Sequence, residues 1–322
     1  MTWRYCNGEF SHEPVLLEEA LRILDPHPGG IYLDCTVGGG GHAEAILSVG
    51  GKNARLIGID RDKEILRSCR KRLNIFGGNV ELHCDRFENI HEVLGGRKVD
   101  GILMDLGVSS FMLDDPERGF SFMADGPLDM RMDRSQTLTA GAVVNGYTQK
   151  KLAAIFKEYG EERYAARVAR RIVKQREEKR ITSTLELAEL VKSAIPRSGA
   201  RRIHPATKIF QALRIEVNGE LEELESAITA AVDHLSPCSA LAVISFHSLE
   251  DRIAKRVFAR LAKGCVCPPG LPVCICHIKP KVRKLSGKPI RPRHTEMEKN
   301  PRARSAKLRA VERTSRSEES FA

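Results

Sequence analysis

The chain has 322 residues, 42 % of them hydrophobic, which is enough to bury a substantial interior and excludes a disordered or fibrous chain. No apolar run approaches the roughly 18 residues that cross a bilayer. The first residues, MTWRYCNGEFSHEP, lack the charged-then-apolar order of a secretion signal, so the expected compartment is the cytoplasm. The net charge is +10, from 52 basic and 42 acidic residues, with the basic ones densest in the last third; this points to a polyanionic partner such as nucleic acid.

In chain order, HEPVLLEEAL (His12 to Leu21) reads as a short helix with Pro14 in its first turn, where the missing N–H is not needed. Next comes the stretch around which the chain is organised, Gly30 to Asp60. Ile31-Tyr32-Leu33 is a short β-prone run that ends at four glycines, Gly38 to Gly41, before an Ala/Leu-rich helical segment. A second apolar run, Leu56 to Ile59, ends on Asp60, whose carboxylate suits ribose hydroxyls. Strand, glycine turn, helix, strand and acid together predict a nucleotide-cofactor site. Gly38-x-Gly40-x-x-Ala43 also satisfies the dinucleotide fingerprint of NAD-linked dehydrogenases. The acid ahead of the loop favours another ligand: Asp34-x-Thr36-x-Gly38-x-Gly40 has the D-x-x-x-G-x-G spacing of S-adenosylmethionine (SAM) enzymes.

Beyond Asp60 the pattern predicts a helix over Lys63 to Leu73, a strand over Val80 to Cys84, a short helix over Asn89 to Leu94 and a strand over Val99 to Asp105. Alternating strands and helices predict an α/β, doubly wound Rossmann-like parallel sheet, with ligands outside the carboxyl ends of its strands. Asp34, Asp60, Asp85 and Asp105 are therefore expected on one rim. From Leu106 to about Asp133 the periodicity breaks, in a connection too long to be incidental.

From Gln149 to about Val217 the composition is helical, with Ser183-x-x-Glu186 as a capping box. The expected organisation is a discontinuous domain over residues 1–134 and 218–322, interrupted by an all-helical substrate-recognition domain over 135–217. Arg167-x-x-Arg170-Arg171 and Arg197-x-x-x-Arg201-Arg202 put positive charge on that insertion, either as a solvated surface or as an RNA contact. The sheet resumes with a helix over Gly219 to Leu235, a strand over Ser239 to Phe246 and a helix over His247 to Lys263. It ends in a strand near Ser305 to Glu312, ahead of a frayed TSRSEESFA. Phe246-His247 ends the fifth strand, where it either orients a base or merely starts a helix.

Of nine cysteines, Cys6, Cys35, Cys69, Cys84 and Cys238 are scattered. Cys265-x-Cys267 and Cys274-x-Cys276-His277 bracket PPGLPV, a knuckle whose four thiols suit structural zinc, though C-x-C is tighter than the usual pairing and free thiols are the alternative. An odd total without a secretion signal argues against a disulfide framework.

HEPVLLEEAL, LDCTVGGGGH, GIDRD, DGILMDLGVSS, LDDPERGFSFMADGPLDMRMD, HPATKIFQALRIEVNGELEELE, ISFHSLEDR and NPRARSAKLRAVER together resemble the bacterial 16S ribosomal RNA cytosine-N4 methyltransferase family (RsmH, also called MraW), over nearly the whole chain. The resemblance implies a SAM-dependent enzyme with a methyltransferase sheet and a helical insertion. It would act on the exocyclic amine of a cytidine in the decoding centre of the small ribosomal subunit. Carried over, the cofactor contacts are Gly40, Gly41, His42, Asp60, Phe87 and Asp105. Where some members have glutamine after the Ser-Ser pair this chain has Met112, so that polar contact is in doubt. Asp105 is the candidate for handling the amine. The residues themselves leave His42 open, as a helix cap, a solvated side chain or a ligand. The expected partners are 16S rRNA and the small subunit, with no membrane and a homodimer left open. A non-catalytic RNA-binding or ribosome-assembly protein and an NAD-linked dehydrogenase are the other function classes.

Overall fold

The computed structural model describes residues 14–196, 204–265, 267, 275–276 and 278–315. The N-terminal residues through Glu13, Arg197, Arg201, Arg202, Cys274, His277 and most of the last nine residues lie outside it. Contacts divide the chain into two units, one of Arg61–Lys63 with Val108–Glu225 and one of the segments before, between and after these.

The first unit is an α/β sheet unit. In chain order it contains α1 (Leu17–Leu24), β1 (Ile31–Asp34), α2 (Gly41–Gly50), β2 (Arg55–Asp60), α3 (Lys63–Leu73), β3 (Val80–Cys84), α4 (Ile90–Leu94) and β4 (Val99–Asp105). The helical unit supplies α5 (Ser110–Asp114), α6 (Ala140–Gly146), α7 (Gln149–Glu158), α8 (Ala165–Glu178), α9 (Thr184–Ala194) and α10 (Ala206–Asn218). The chain closes with α11 (Leu224–His234), β5 (Leu235–Ser245), α12 (Ser248–Lys263), β6 (Val282–Lys284), α13 (His294–Lys299) and β7 (Lys307–Arg313).

Among the described residues seven strands form one sheet in the order β3-β2-β1-β4-β5-β7-β6. The first five are parallel, and β7 runs antiparallel to both β5 and β6. The order steps outward from β1 in both directions, as in doubly wound Rossmann-like sheets, with β7 wedged in as a returning hairpin strand. The central strands are apolar on both faces because helices cover both: Leu33, Ile59, Ile102, Leu103 and Ile244 have no exposed surface.

The short helices α5 and α6, β6 and α13 escaped sequence reading. β6 is a three-residue strand, VRK, with two of its residues exposed, so it has no alternation to detect. α13 is six residues with none buried. β5 starts at Leu235, earlier than the expected Ser239, through an irregular lead-in where Cys238 has φ 62°. α11 starts at Leu224, not Gly219, because Gly219 terminates α10 in the left-handed conformation with φ 65°.

Local capping sets the helical unit's boundaries. Thr139, Thr148 and Ser183 accept the backbone N–H groups of Ala142, Lys151 and Glu186. Glu186 reaches back to the Thr182 N–H at 3.1 Å, so the expected box closes one residue early. The aperiodic segment after Leu106 is pinned by polar anchors. Arg118 is buried against Asp62 at 2.7 Å and donates to the Arg131 and Met132 carbonyls. Asn218 accepts from Met132 N–H at 2.8 Å and donates to the Met130 and Arg214 carbonyls. Asn218→Ala would strand several buried groups, so urea unfolding of the variant is expected to show a loss of about 2–3 kcal/mol. A change within about 0.5 kcal/mol would contradict that role.

Candidate functional site at the carboxyl edge of the sheet

The segment leaving β1 is stitched alternately to its neighbours. Cys35 N–H bonds the Leu103 carbonyl on β4 and Val37 N–H bonds the Ile59 carbonyl on β2, each at 2.9 Å. Side chains repeat the pattern: Thr36 Oγ1 accepts Asp105 N–H at 2.7 Å, and Asp60 Oδ2 accepts Gly38 N–H at 2.9 Å. Asp34 Oδ1 accepts Thr36 N–H at 3.1 Å. Asp34, Asp60 and Asp105 thus stand at the ends of three adjacent parallel strands, and Asp85 follows β3, its N–H on the Asp60 carbonyl at 3.1 Å.

Asp34 is 1 % exposed. Burial pushes its carboxyl up to about 7, with Asp105 and Asp60 adding repulsion, while His42 and the Thr36 N–H pull it back.

His42, in the first turn of α2, is neither a cap nor solvated, for it is 6 % exposed and its Nε2 lies 3.5 Å from Asp105 Oδ2. Burial by itself would lower the His42 pKa. Asp105, Asp34 and the bond to the Val15 backbone outweigh it and hold the pKa above the ordinary value. Neither His42 Nε2 nor Asp105 Oδ1 has a hydrogen-bond partner among the described residues, and buried polar atoms left so mark a site that receives one from elsewhere.

The glycine loop also packs against the protein's own elements. Gly40 has φ 82°, and a Cβ there would come within 3.0 Å of Cys69 Sγ; one on Gly41 would meet Pro14 at 2.6 Å. The absent side chains make room for the protein's own α3 and Pro14, not for close approach of a ligand from those directions. Phe87 begins a short 3₁₀ turn after β3 and is 8 % exposed.

At the end of β5, Phe246 packs on the backbone of Gly107, where a Cβ would meet its ring at 3.3 Å. His247 caps α12: its ring faces Glu250 N–H and the Glu250 carboxylate, which itself accepts the Phe246 and His247 N–H groups. Sequence reasoning missed Glu250, although a polar residue three places beyond a helix start is the signal for such a cap. Near the end of α12 the sulfurs of Cys265, Cys267 and Cys276 lie within 4.8 Å of one another.

The arrangement offers carboxylates to a ligand bearing positive charge and hydroxyls, and it suits SAM, a sulfonium with an ammonium and a ribose diol. A pyrophosphate would meet like charge there. Comparison with known proteins decides the kinship, because the sequence profile of the MraW methylase family matches residues 9–314. The chain belongs to the MraW methylase family. MraW methylases are SAM-dependent methyltransferases. Among relatives, the ribosomal RNA small subunit methyltransferase H of Carboxydothermus hydrogenoformans is 52 % identical over 310 residues, covering 95 % of this chain and 99 % of the relative. That of Symbiobacterium thermophilum is 50 % identical over 314 residues, covering 96 % and 99 %. Among solved structures, an rRNA methylase from Streptococcus thermophilus has a TM-score of 0.41 at 12 % identity, covering 93 % of this chain and 94 % of that one.

The raised Asp34 pKa fixes a sign for this MraW-family chain. Native Asp34 holds its proton up to about 7, against an ordinary value of 3.8, so its contribution to stability is complete below about 4 and is lost as pH rises through 7. Asp34→Asn keeps the acceptor without the charge. Its stability relative to wild type is expected to improve steadily from about pH 4 to pH 8 and then level off. Thermal unfolding across that range checks it, and a pH-independent difference would contradict it.

Proposed function

We propose that this chain transfers a methyl group from SAM to the exocyclic N4 of a cytidine in the 16S rRNA of the small ribosomal subunit. The observation that carries the reading is the Asp105–His42 pair on a carboxylate-lined strand edge, joined to membership of a family whose relatives are named for small-subunit rRNA methylation. In this reading Gly40, Gly41, His42, Asp60, Phe87 and Asp105 hold the cofactor, with Asp60 on the ribose diol and Phe87 beside adenine. The helical unit is the substrate-recognition part. An NAD-linked dehydrogenase has nothing to gain from acids at successive strand ends, and a non-catalytic RNA-binding protein has no use for a buried His42–Asp105 pair there. No observation supports a homodimer, and the proposal is made for a single chain.

SAM supplies a methyl already activated by its sulfonium. Cytosine N4 is a poor nucleophile because its lone pair is delocalised into the ring. Asp105 accepts an N4–H, which returns electron density to nitrogen and orients the amine. Bound there, SAM would supply the methyl carbon while its sulfur kept the C–S electron pair as a neutral thioether, and Asp105 is the group placed to take the one proton that N4 must lose. His42 Nε2, 3.5 Å behind and biased toward its charged form, steadies the Asp105 carboxylate and fixes which way it faces. Phe246 provides a ring next to Gly107 at the same strand edge for the base to stack on.

Single-turnover methyl transfer to small subunits lacking the modification tests Asp105. At saturating SAM, Asp105→Ala is expected to lose about 10²-fold or more in rate, with Asp105→Asn retaining SAM affinity better than rate. A normal rate for the Ala variant at saturating SAM confines Asp105 to cofactor binding.

The cysteine knuckle is proposed to hold structural zinc. Zinc–thiolate bonds of about 2.3 Å in a tetrahedron set sulfurs about 3.8 Å apart. Cys265 and Cys276 Sγ are 3.8 Å apart and all three described thiols converge, while Cys274 enters from sequence alone. The two arms are drawn together independently, by Lys281 N–H on the Leu261 carbonyl at 3.0 Å and by Gly264 passing so close to Lys279 and Pro280 that a Cβ would meet them at 2.5 Å. Protein purified without chelator is expected to carry about one zinc per chain, lost in Cys265→Ser/Cys276→Ser. Freely titratable thiols and no metal would leave reduced cysteines in its place.

A further inference from the structure

We propose that the exposed face of α8 is a rail for the RNA backbone, contacting phosphates without regard to base sequence. This rests on the reading that the substrate is RNA, and it names the surface and the chemistry by which the RNA is held. α8 buries Ala165, Val168, Ala169 and Ile172 and exposes Arg167, Arg170, Arg171 and Lys174 on its other side. Arg163, one turn upstream, is exposed as well. No acid among the described residues forms an ion pair with Arg167, Arg170, Arg171 or Lys174. In the same unit Lys192 pairs with Glu189, Arg214 with Glu220, and Arg176 donates to the Val144 and Tyr147 carbonyls.

The pattern works against the helix that carries it. Arg167 with Arg170 and Arg171, and Lys174 with the same two, are like charges three or four residues apart, which repel on a helix surface. Arg167 also stands in the first turn, where the macrodipole disfavours a cation, and the first turn holds no acid. Glu177 and Glu178 occupy the opposite end, where the macrodipole disfavours acids. A face selected only for solubility would alternate signs, or place acids first and bases last. This inverted arrangement gains only when a polyanion neutralises it. From Arg167 to Lys174 the cations span about 10 Å of helix axis. A nucleic-acid strand presents roughly three phosphates over that length, at about 3.4 Å of axis each.

The test uses the full-length chain with Arg167→Gln, Arg170→Gln, Arg171→Gln and Lys174→Gln, singly and combined, and naked small-subunit rRNA as probe. The combined variant is expected to bind RNA at least 10-fold more weakly at about 0.1 M salt, and its log–log salt slope should be shallower by about 3, with each single change removing about 0.7. Its melting temperature should be unchanged or higher and its SAM affinity unaltered, a divergence that damage to the fold would not produce. Unchanged affinity and slope would make the face a solvated surface and overturn the proposal. Competition by polyglutamate as effective as that by RNA would assign the face to polyanions in general and overturn it also. If wild-type protein binds SAM but no RNA under any salt, the substrate reading itself fails.

Discussion

The short segment after β1, residues 35 to 38, is the constraint on which the site depends. Its backbone bonds β4 and β2 in turn, and its side chains and amides fix the two acids that end those strands. Parallel pairing alone would bring Asp34, Asp60 and Asp105 to one edge but leave their carboxylates free to splay toward water. Thr36 and the Gly38 N–H hold the edge in register. Burial, with repulsion from Asp105 and Asp60 on the same edge added, then makes Asp34 hold its proton to about 7.

His42 answers that charge. It is placed by α2, whose start is set by Gly40 in a conformation other residues rarely adopt, and by Gly41 pressed against Pro14. The glycines therefore act on the site at one remove, by letting the helix begin close enough to the strands for His42 to face Asp105. In the helical unit the polar anchors Arg118 and Asn218 do comparable work, giving a long segment without regular structure a defined course in place of packing.

The two ends of the chain's chemistry differ in kind. At the strand edge, burial and proximity tune individual groups, so single substitutions have large and pH-dependent effects. On α8 the charges are solvated and act together, with a strength that falls with salt.

The sheet was legible because its central strands β1, β2 and β4 are apolar on both faces and end on acids; the bounds of α3, β3 and β4 follow from composition and periodicity alone. β6 and α13 were not, since short exposed elements leave no apolar pattern; β6 exists through pairing with β7, and α13 is tied to the start of α1 by Glu296 accepting the Leu16 N–H. Sequence also singled out Asp105, the glycine loop and the cysteine knuckle, because each is a local grouping of residue types. Only the tertiary structure decided what His42 and His247 do, both of them histidines near a helix start. His42 faces Asp105, which lies 63 positions away in sequence, whereas His247 turns back onto Glu250 of its own helix. Local sequence fixes which groups a turn can present, and which partner each one meets depends on strand order, which no local pattern encodes.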